Sequence, residues 1–207
     1  MFLAAVVIIA AGCGENQKAK ERDALRYFIE AEEFRVQGNI ARALESYEKS
    51  IELNPELADA FAGRAFAYYA ISRYSDALDD IDRALALEPE LGLAFNYRGL
   101  VYAATGDIDA ALVNLTKAIE TEPALTDAHR NRAEVYMHTE DYESAVTDFS
   151  SAIGLDPGDA ELYFWRAQAN SLAGNRDAAI SDLEQVIILA KDQQLALNAQ
   201  QMLSGIQ

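Results

Sequence analysis

Cysteine, histidine and basic residues are scarce in this sequence. Its single cysteine excludes an intrachain disulfide, so cysteine pairing does not reveal the redox compartment. Lys and Arg number 17 against 34 Asp and Glu, which leaves a net charge of −17 over 207 residues. Such a charge repels a phosphate backbone, and we therefore expect basic or neutral polypeptide partners rather than nucleic acid.

The motifs that carry enzyme chemistry are also missing. His129 and His138 lie nine residues apart, off the spacing of three or four that places two metal ligands on one helical face. The sequence has no glycine-rich phosphate loop and no Gly-x-Ser-x-Gly elbow, and its cysteine is far from both histidines. We predict no catalytic residue, no metal site and no cofactor. An enzymatic role would require a catalytic segment that this sequence does not contain.

Proline occurs four times, and successive prolines are always 34 residues apart, at Pro55, Pro89, Pro123 and Pro157. A constant period of this length indicates stacked structural repeats. Each repeat in such an array contacts only its neighbours, so the array offers an extended surface and no closed catalytic pocket. Protein binding is therefore the expected type of function.

Small and large residues recur on the same period. The small ones form pairs twelve residues apart, which allow two helices to approach closely: Ala31 and Ala43, Ala65 and Ala77, Gly99 and Ala111, Ala133 and Ala145, Ala167 and Ala179. Large residues that would fill the remaining space recur in three sets: Tyr27, Phe61, Phe95, His129 and Tyr163; Phe34, Tyr68, Tyr102 and Tyr136; Tyr47, Ile81, Leu115, Phe149 and Leu183.

These residues resemble the tetratricopeptide repeat in five copies. The resemblance implies an all-α, right-handed α-α superhelix of five helix pairs with a C-terminal capping helix, over residues 22–205. The repeats would span about 24–57, 58–91, 92–125, 126–159 and 160–191, and the cap 193–204. The sequence departs from the pattern where Asn170 replaces an aromatic residue, where Ser72 and Glu140 replace the turn glycine, and where Lys191 replaces a fifth proline.

Turn and capping residues predict the individual helices. Asn54-Pro55 and Asp156-Pro157 indicate helix starts, with proline at the first helical position. Gly38-Asn39, Gly106-Asp107 and Gly174-Asn175 indicate a helix end followed by a cap for the next helix. The predicted pairs are 22–37 and 40–53, 57–71 and 74–87, 91–105 and 108–121, 125–139 and 142–155, 159–173 and 176–190.

An arginine also recurs every 34 residues, and an acid or amide follows sixteen residues later. The pairs are Arg64 and Asp80, Arg98 and Asn114, Arg132 and Asp148, Arg166 and Asp182. A ladder of anion-binding sites is one interpretation. The constant separation of sixteen residues favours a second interpretation, in which each pair forms a salt bridge or hydrogen bond within its repeat.

In the tetratricopeptide family the first helix of each pair lines an inner groove, and the resemblance implies a peptide-binding site there. We expect Tyr97, Asn131 and Trp165 to be exposed in it, whereas Phe28 and Phe66 could equally pack between repeats. The Lys and Asn clamp of relatives that bind acidic chaperone tails is absent. The predicted groove comprises Phe28, Ile29, Phe66, Tyr69, Asn96, Tyr97, Leu100, Arg130, Asn131, Glu134, Phe164, Trp165 and Gln168.

The first thirteen residues are apolar and uncharged, and they end at the cysteine. Eleven apolar residues precede Gly12. At about 1.5 Å per residue, a helix of about that length covers about half of a ~30 Å hydrocarbon core, so the segment is typical of a signal peptide. Ala10-Ala11-Gly12-Cys13 resembles the bacterial lipobox, although an alanine replaces the usual leucine and no basic residue precedes the run. Residues 1–13 would then be the signal, Cys13 the lipidation site and 14–21 a polar tether.

The sequence thus predicts a non-catalytic scaffold, anchored to a membrane of the bacterial cell envelope by a lipidated cysteine and binding a polypeptide in its groove. The alternative is a soluble cytosolic adaptor or co-chaperone-like protein without a lipid anchor.

Overall fold

The computed structural model describes the backbone of residues 2–206 and the side chains of residues 16–206. Within these residues the chain forms eleven consecutive helices and no strand. They are α1 (Phe2–Val36), α2 (Ile40–Leu53), α3 (Ala58–Ala70), α4 (Tyr74–Leu87), α5 (Gly92–Thr105), α6 (Ile108–Thr121), α7 (Thr126–His138), α8 (Tyr142–Leu155), α9 (Ala160–Leu172), α10 (Arg176–Leu189) and α11 (Gln193–Ile206).

The predicted helices are confirmed, with one large difference in length. Helices α2, α4, α6 and α8 begin and end at the predicted residues, whereas α1 begins at Phe2 and not near residue 22. Residues 14–21, for which the sequence predicts a tether, are therefore helical. The side chain of Cys13 lies outside the described residues. No helix in the described part of the chain is both long enough and apolar enough to cross a membrane.

The prediction that Asn54-Pro55 and Asp156-Pro157 start helices is wrong, because both prolines lie in the turn between two repeats. Helix α3 begins three residues after Pro55, and Leu57 is the residue before it. The Asn54 side chain instead accepts a hydrogen bond from the amide of Glu56 at 3.1 Å, and Asp156 does the same for Gly158 at 3.2 Å. Each side chain therefore stabilises a turn that follows a helix.

The predicted turns within repeats are confirmed by backbone geometry. Gly38, Gly106 and Gly174 have φ angles of 73°, 86° and 83°, in the left-handed region that glycine adopts without strain. Ser72 and Glu140 adopt the same conformation at 61° and 62°. The tertiary structure thus imposes the glycine geometry on two residues that disfavour it.

The chain divides into two compact units, Met1–Tyr97 and Arg98–Gln207. In the first unit α1 packs on α2, α2 on α3 and α3 on α4; in the second, neighbouring helices from α6 to α11 pack in the same sequential way. The second unit ends with α11, which buries Ala199 and packs Leu195 and Met202 against the core of the last repeat. Its Gln194 and Gln200 side chains are exposed, as the predicted cap requires.

The arginine register forms structural pairs inside each repeat, as predicted. The Arg132 guanidinium donates to both carboxylate oxygens of Asp148, at 2.7 and 2.8 Å, and Arg64 binds Asp80 at the same two distances. Arg166 pairs with Asp182 at 3.0 and 2.6 Å. In the third repeat Arg98 Nε donates a hydrogen bond to the Asn114 amide oxygen, at 2.7 Å. These contacts join the two helices of one repeat and leave few N–H groups of the guanidinium for an anionic ligand.

Candidate peptide-binding faces

An aromatic cluster lies on the first helices of the first unit, centred on Phe66. The Phe66 ring centroid is 4.9 Å from that of Tyr97 and 6.0 Å from that of Tyr69, and both pairs are tilted. The Arg35 guanidinium lies 5.2 Å from the Phe66 centroid, within cation–π range. Helices α1, α3 and α5 therefore bring one cation and three rings together on this unit.

The position of Arg35 depends on a carboxylate in the preceding turn. Glu32 accepts hydrogen bonds from Arg35 at 2.6 and 3.0 Å, and it also accepts one from the Tyr47 hydroxyl. Burial and the hydrogen bond to Glu32 raise the pKa of Tyr47. Burial opposes the charge on Arg35, but the bond to Glu32 outweighs it and raises the pKa of the guanidinium. Arg35 therefore remains cationic and Tyr47 remains a donor throughout the physiological range.

Sequence reasoning did not identify Glu32 and Arg35 as part of this face. The available signal was an acid and a base three residues apart on one helix, which places them side by side. Such pairs are common on solvated helices and are weak indicators of a site.

A charged face lies on α7 in the second unit. Asp127, Arg130 and Glu134 follow one another at intervals of three and four residues and so lie on one side of the helix. Arg130 donates a hydrogen bond to Asp127. The Glu134 side chain is solvent-accessible, yet the protein around it removes enough water to raise its pKa. Arg130 lowers that pKa, whereas the carboxylates of Asp127 and Glu161 raise it further.

Helix α9 carries an exposed aromatic side chain and a carboxylate that acts on Glu134. Trp165 is 37% exposed, and its ring is 6.2 Å from that of half-buried Phe164 at an interplanar angle of 72°. Glu161, whose charge acts on Glu134, precedes Trp165 by one helical turn, and Gln168 follows Phe164 by another. The carboxylates of Glu134 on α7 and Glu161 on α9 are therefore close enough to interact, and α9 carries the exposed indole one turn beyond Glu161.

Three residues of the predicted groove are buried. Asn96 is 1% exposed, and the expectation that Tyr97 and Asn131 are exposed is wrong, since they are 8% and 9% exposed. Tyr97 and Asn131 share a register position with Gly63, which lies against Tyr47 of the preceding repeat. That position therefore faces the neighbouring helix rather than solvent. Trp165 shares the position and remains partly exposed.

The other predicted residues divide between packing and exposure. Phe28 is half-buried with its ring centroid 6.2 Å from that of Tyr47, so it packs between helices, as Phe66 does. Ile29 is exposed on α1, and Leu100 is half-buried on α5. In the part of the chain with described side chains, no group of three or more His, Cys, Asp or Glu could hold a metal ion.

Comparison with known proteins agrees with this repeat architecture. Family models for the TPR or tetratricopeptide repeat match residues 31–72 and, in overlapping segments, 65–124, 97–160 and 130–196. A comparison with curated protein sequences finds no match.

Solved structures of tetratricopeptide proteins resemble most of the chain. YrrB, a TPR protein with an unusual peptide-binding site, is 27% identical over 90% of this chain and 97% of its own, with a TM-score of 0.60. TTC0263, a TPR protein of Thermus thermophilus, is 19% identical over 87% of this chain and 98% of its own, with a TM-score of 0.75. Pseudomonas aeruginosa pilF is 16% identical over 91% and 90%, with a TM-score of 0.74. The last two are similar in fold alone.

Proposed function

Because the chain belongs to the tetratricopeptide repeat family, we propose that it is a non-catalytic scaffold that holds a polypeptide partner against the first helices of its repeats. The observation that carries the proposal is the α7/α9 face, defined by Asp127, Glu134, Glu161 and Trp165. Its exposed acidic and aromatic groups lie outside the buried core. The peptide-binding site of YrrB supports the same type of function by similarity.

The chemistry of the α7/α9 face suits a basic peptide segment. Partial desolvation and the carboxylates of Asp127 and Glu161 raise the pKa of Glu134, although Arg130 opposes them, so a negative charge on Glu134 is less favourable than on a free carboxyl. A lysine or arginine from a partner would relieve that repulsion, and its cation could also lie over the Trp165 ring. The net charge of −17 would favour the approach of such a segment.

Selection from a displayed random peptide library tests this proposal. We expect the full chain to enrich peptides with basic residues, and a variant with Glu134→Gln, Glu161→Gln and Trp165→Ala to lose the enrichment. Glu143→Gln with Glu184→Gln is the matched control, since both are exposed acids on second helices. Equal enrichment by the triple variant, or no enrichment by the wild type, would count against the α7/α9 face as the binding site.

We further propose that the protein is anchored by lipid at Cys13 and acts in the bacterial cell envelope as part of a larger assembly. This rests on the sequence Ala10-Ala11-Gly12-Cys13 after an apolar run. Intact mass and membrane fractionation, with Cys13→Ser beside the wild type, provide the test. A lipidated chain that starts at Cys13 and is lost in the mutant would support the anchor. An unmodified, soluble, full-length product would instead favour the cytosolic adaptor.

A further inference from the structure

The fifth repeat lacks an aromatic side chain that the first four repeats have. The register position holds Phe34, Tyr68, Tyr102 and Tyr136 in repeats one to four, and Asn170 in repeat five. The aromatic residues are half-buried, and both tyrosines of the second unit pack against the hydrophobic core of their own repeats. Asn170 is much smaller, so the space that a ring would fill is not occupied by its own side chain.

The surroundings of Asn170 otherwise keep the pattern of the other repeats. Arg166 and Asp182 form the ion pair at the same register, and Ala179 supplies the small residue of the second helix. The Asn170 amide donates to Asp182 at 3.2 Å and accepts from Asn175 at 3.4 Å. The smaller side chain is therefore satisfied in its hydrogen bonds, and Asn170 is buried among its neighbours.

An open pocket of about 290 Å³ lies at this position, between α8, α9 and α10. Val146 and Ala178 supply apolar wall, Ser150 and Ser181 supply hydroxyl groups, and the Arg166 guanidinium borders the space. It adjoins a second open pocket of about 470 Å³ that shares Asn170 and Ala178. Since a water molecule in the liquid takes up about 30 Å³, the first pocket has room for a ligand group of several heavy atoms.

We propose that this pocket binds a phenol ring, supplied by a tyrosine side chain of a partner polypeptide or by a small phenolic molecule. Three of the four related repeats place a tyrosine at this register position next to the same arginine. In the second repeat the Arg64 guanidinium lies 5.8 Å from the Tyr68 centroid. Arg166 binds Asp182 and Ser150 through its N–H groups, as Arg64 binds Asp80 in the second repeat, and the face of its guanidinium can make the same contact with a ring. The apolar wall can cover the ring, and the exposed Ser181 hydroxyl can bond the phenol hydroxyl.

Titration of the isotope-labelled full chain with p-cresol, followed by NMR, tests the proposal. We expect saturable shifts at the Asn170 side-chain amide and the Ser181 backbone amide. Ser181→Phe should block the pocket from its exposed rim and weaken binding at least tenfold. Thr147→Phe is the matched control, since Thr147 holds the same exposed register position in repeat four, where Tyr136 supplies the ring. No saturable shift, or equal binding by Ser181→Phe, would overturn the proposal.

A second variant and two further probes complete the test. Asn170→Tyr would place the chain's own ring in the pocket, and we expect it to remain helical, melt at a higher temperature and lose p-cresol binding. N-acetyltyrosinamide should bind as p-cresol does if a side chain is the natural occupant, whereas binding of p-cresol alone would assign a small phenol. Equal binding of N-acetylleucinamide would show that the pocket does not select a ring and would refute the proposal.

The pocket does not depend on the α7/α9 face. Ser181→Phe should leave the selection of basic peptides unchanged, and the triple variant of that face should leave p-cresol binding unchanged. The two proposals can therefore fail separately.

Discussion

Gly63 on α3 lies directly against the Tyr47 ring on α2. A Cβ atom added to Gly63 would lie 2.5 Å from Cε1 of Tyr47 and 2.7 Å from its hydroxyl oxygen. Tyr47 is fully buried, and its hydroxyl is bonded to Glu32, so the ring has little freedom to move. The absence of a side chain at residue 63 therefore sets the distance between two successive repeats.

Gly63→Ala should destabilise the protein, although alanine favours helix. The added methyl group overpacks Tyr47 at a cost of about 1–3 kcal/mol, against a helix-propensity gain of about 1 kcal/mol. Urea unfolding provides the measurement. Gly154→Ala on α8 is the matched control, because nothing lies within 4 Å of its added Cβ, and it should stabilise the protein. Equal effects of the two changes would contradict the close approach.

Ser72→Gly and Glu140→Gly should each stabilise the protein. Both residues have φ near 60°, a conformation that costs a non-glycine residue about 1 kcal/mol. Glycine also raises the conformational entropy of the unfolded chain, which offsets part of this gain. We therefore expect the free energy of unfolding, measured by heat or urea, to rise by less than about 1 kcal/mol. The reverse change, Gly106→Ala at φ 86°, should destabilise. Unchanged stability in all three variants would show that the left-handed backbone conformation costs no free energy at these positions.

Asp148→Leu should cost much more stability than Asp148→Asn. Leucine removes both hydrogen bonds to Arg132 and leaves a largely buried guanidinium without its carboxylate, at about 3 kcal/mol. Asparagine can keep one bond, as Asn114 does with Arg98, and should cost about 1 kcal/mol. Urea unfolding of both variants distinguishes them. Similar losses of stability would show that the ionic hydrogen bonds of Asp148 add nothing to the free energy of unfolding beyond the packing of its side chain.

Glu134→Gln should stabilise the protein at neutral pH and have no such effect in acid. Folding raises the pKa of Glu134, so the folded state holds the proton more tightly than the unfolded state does. The free energy of unfolding therefore falls as pH rises through that pKa, and glutamine removes the loss. Melting temperatures at pH 7 and about pH 3.5 provide the measurement. A pH-independent difference would indicate a packing effect instead.

The architecture could be predicted from the sequence because its signals are local and repeated. The boundaries of α2 and α6 follow from turn glycines and capping residues, and those of α4 and α8 follow from the 34-residue period. The pairing of Arg132 with Asp148 follows from a separation of sixteen residues that recurs in repeats two to five. The turn prolines were misassigned because the same Asn-Pro or Asp-Pro pair can stabilise either a helix start or a turn.

The exposure of the binding face could be predicted only in part. Helical spacing places Asn96, Tyr97 and Asn131 on an inner side of their helices, but it does not show how closely the neighbouring helices pack against that side. Trp165 and Glu134 lie on the first helices of their repeats as well, and both are exposed.

The sequence by itself determined the period, the helices and the pairing inside each repeat, because these depend on contacts between residues at fixed separations along the chain. The tertiary structure decided which side chains reach solvent, where Ser72 and Glu140 are strained, and that the space beside Asn170 stays open. These properties depend on how closely helices from different repeats pack, which is set by the shapes of many side chains together.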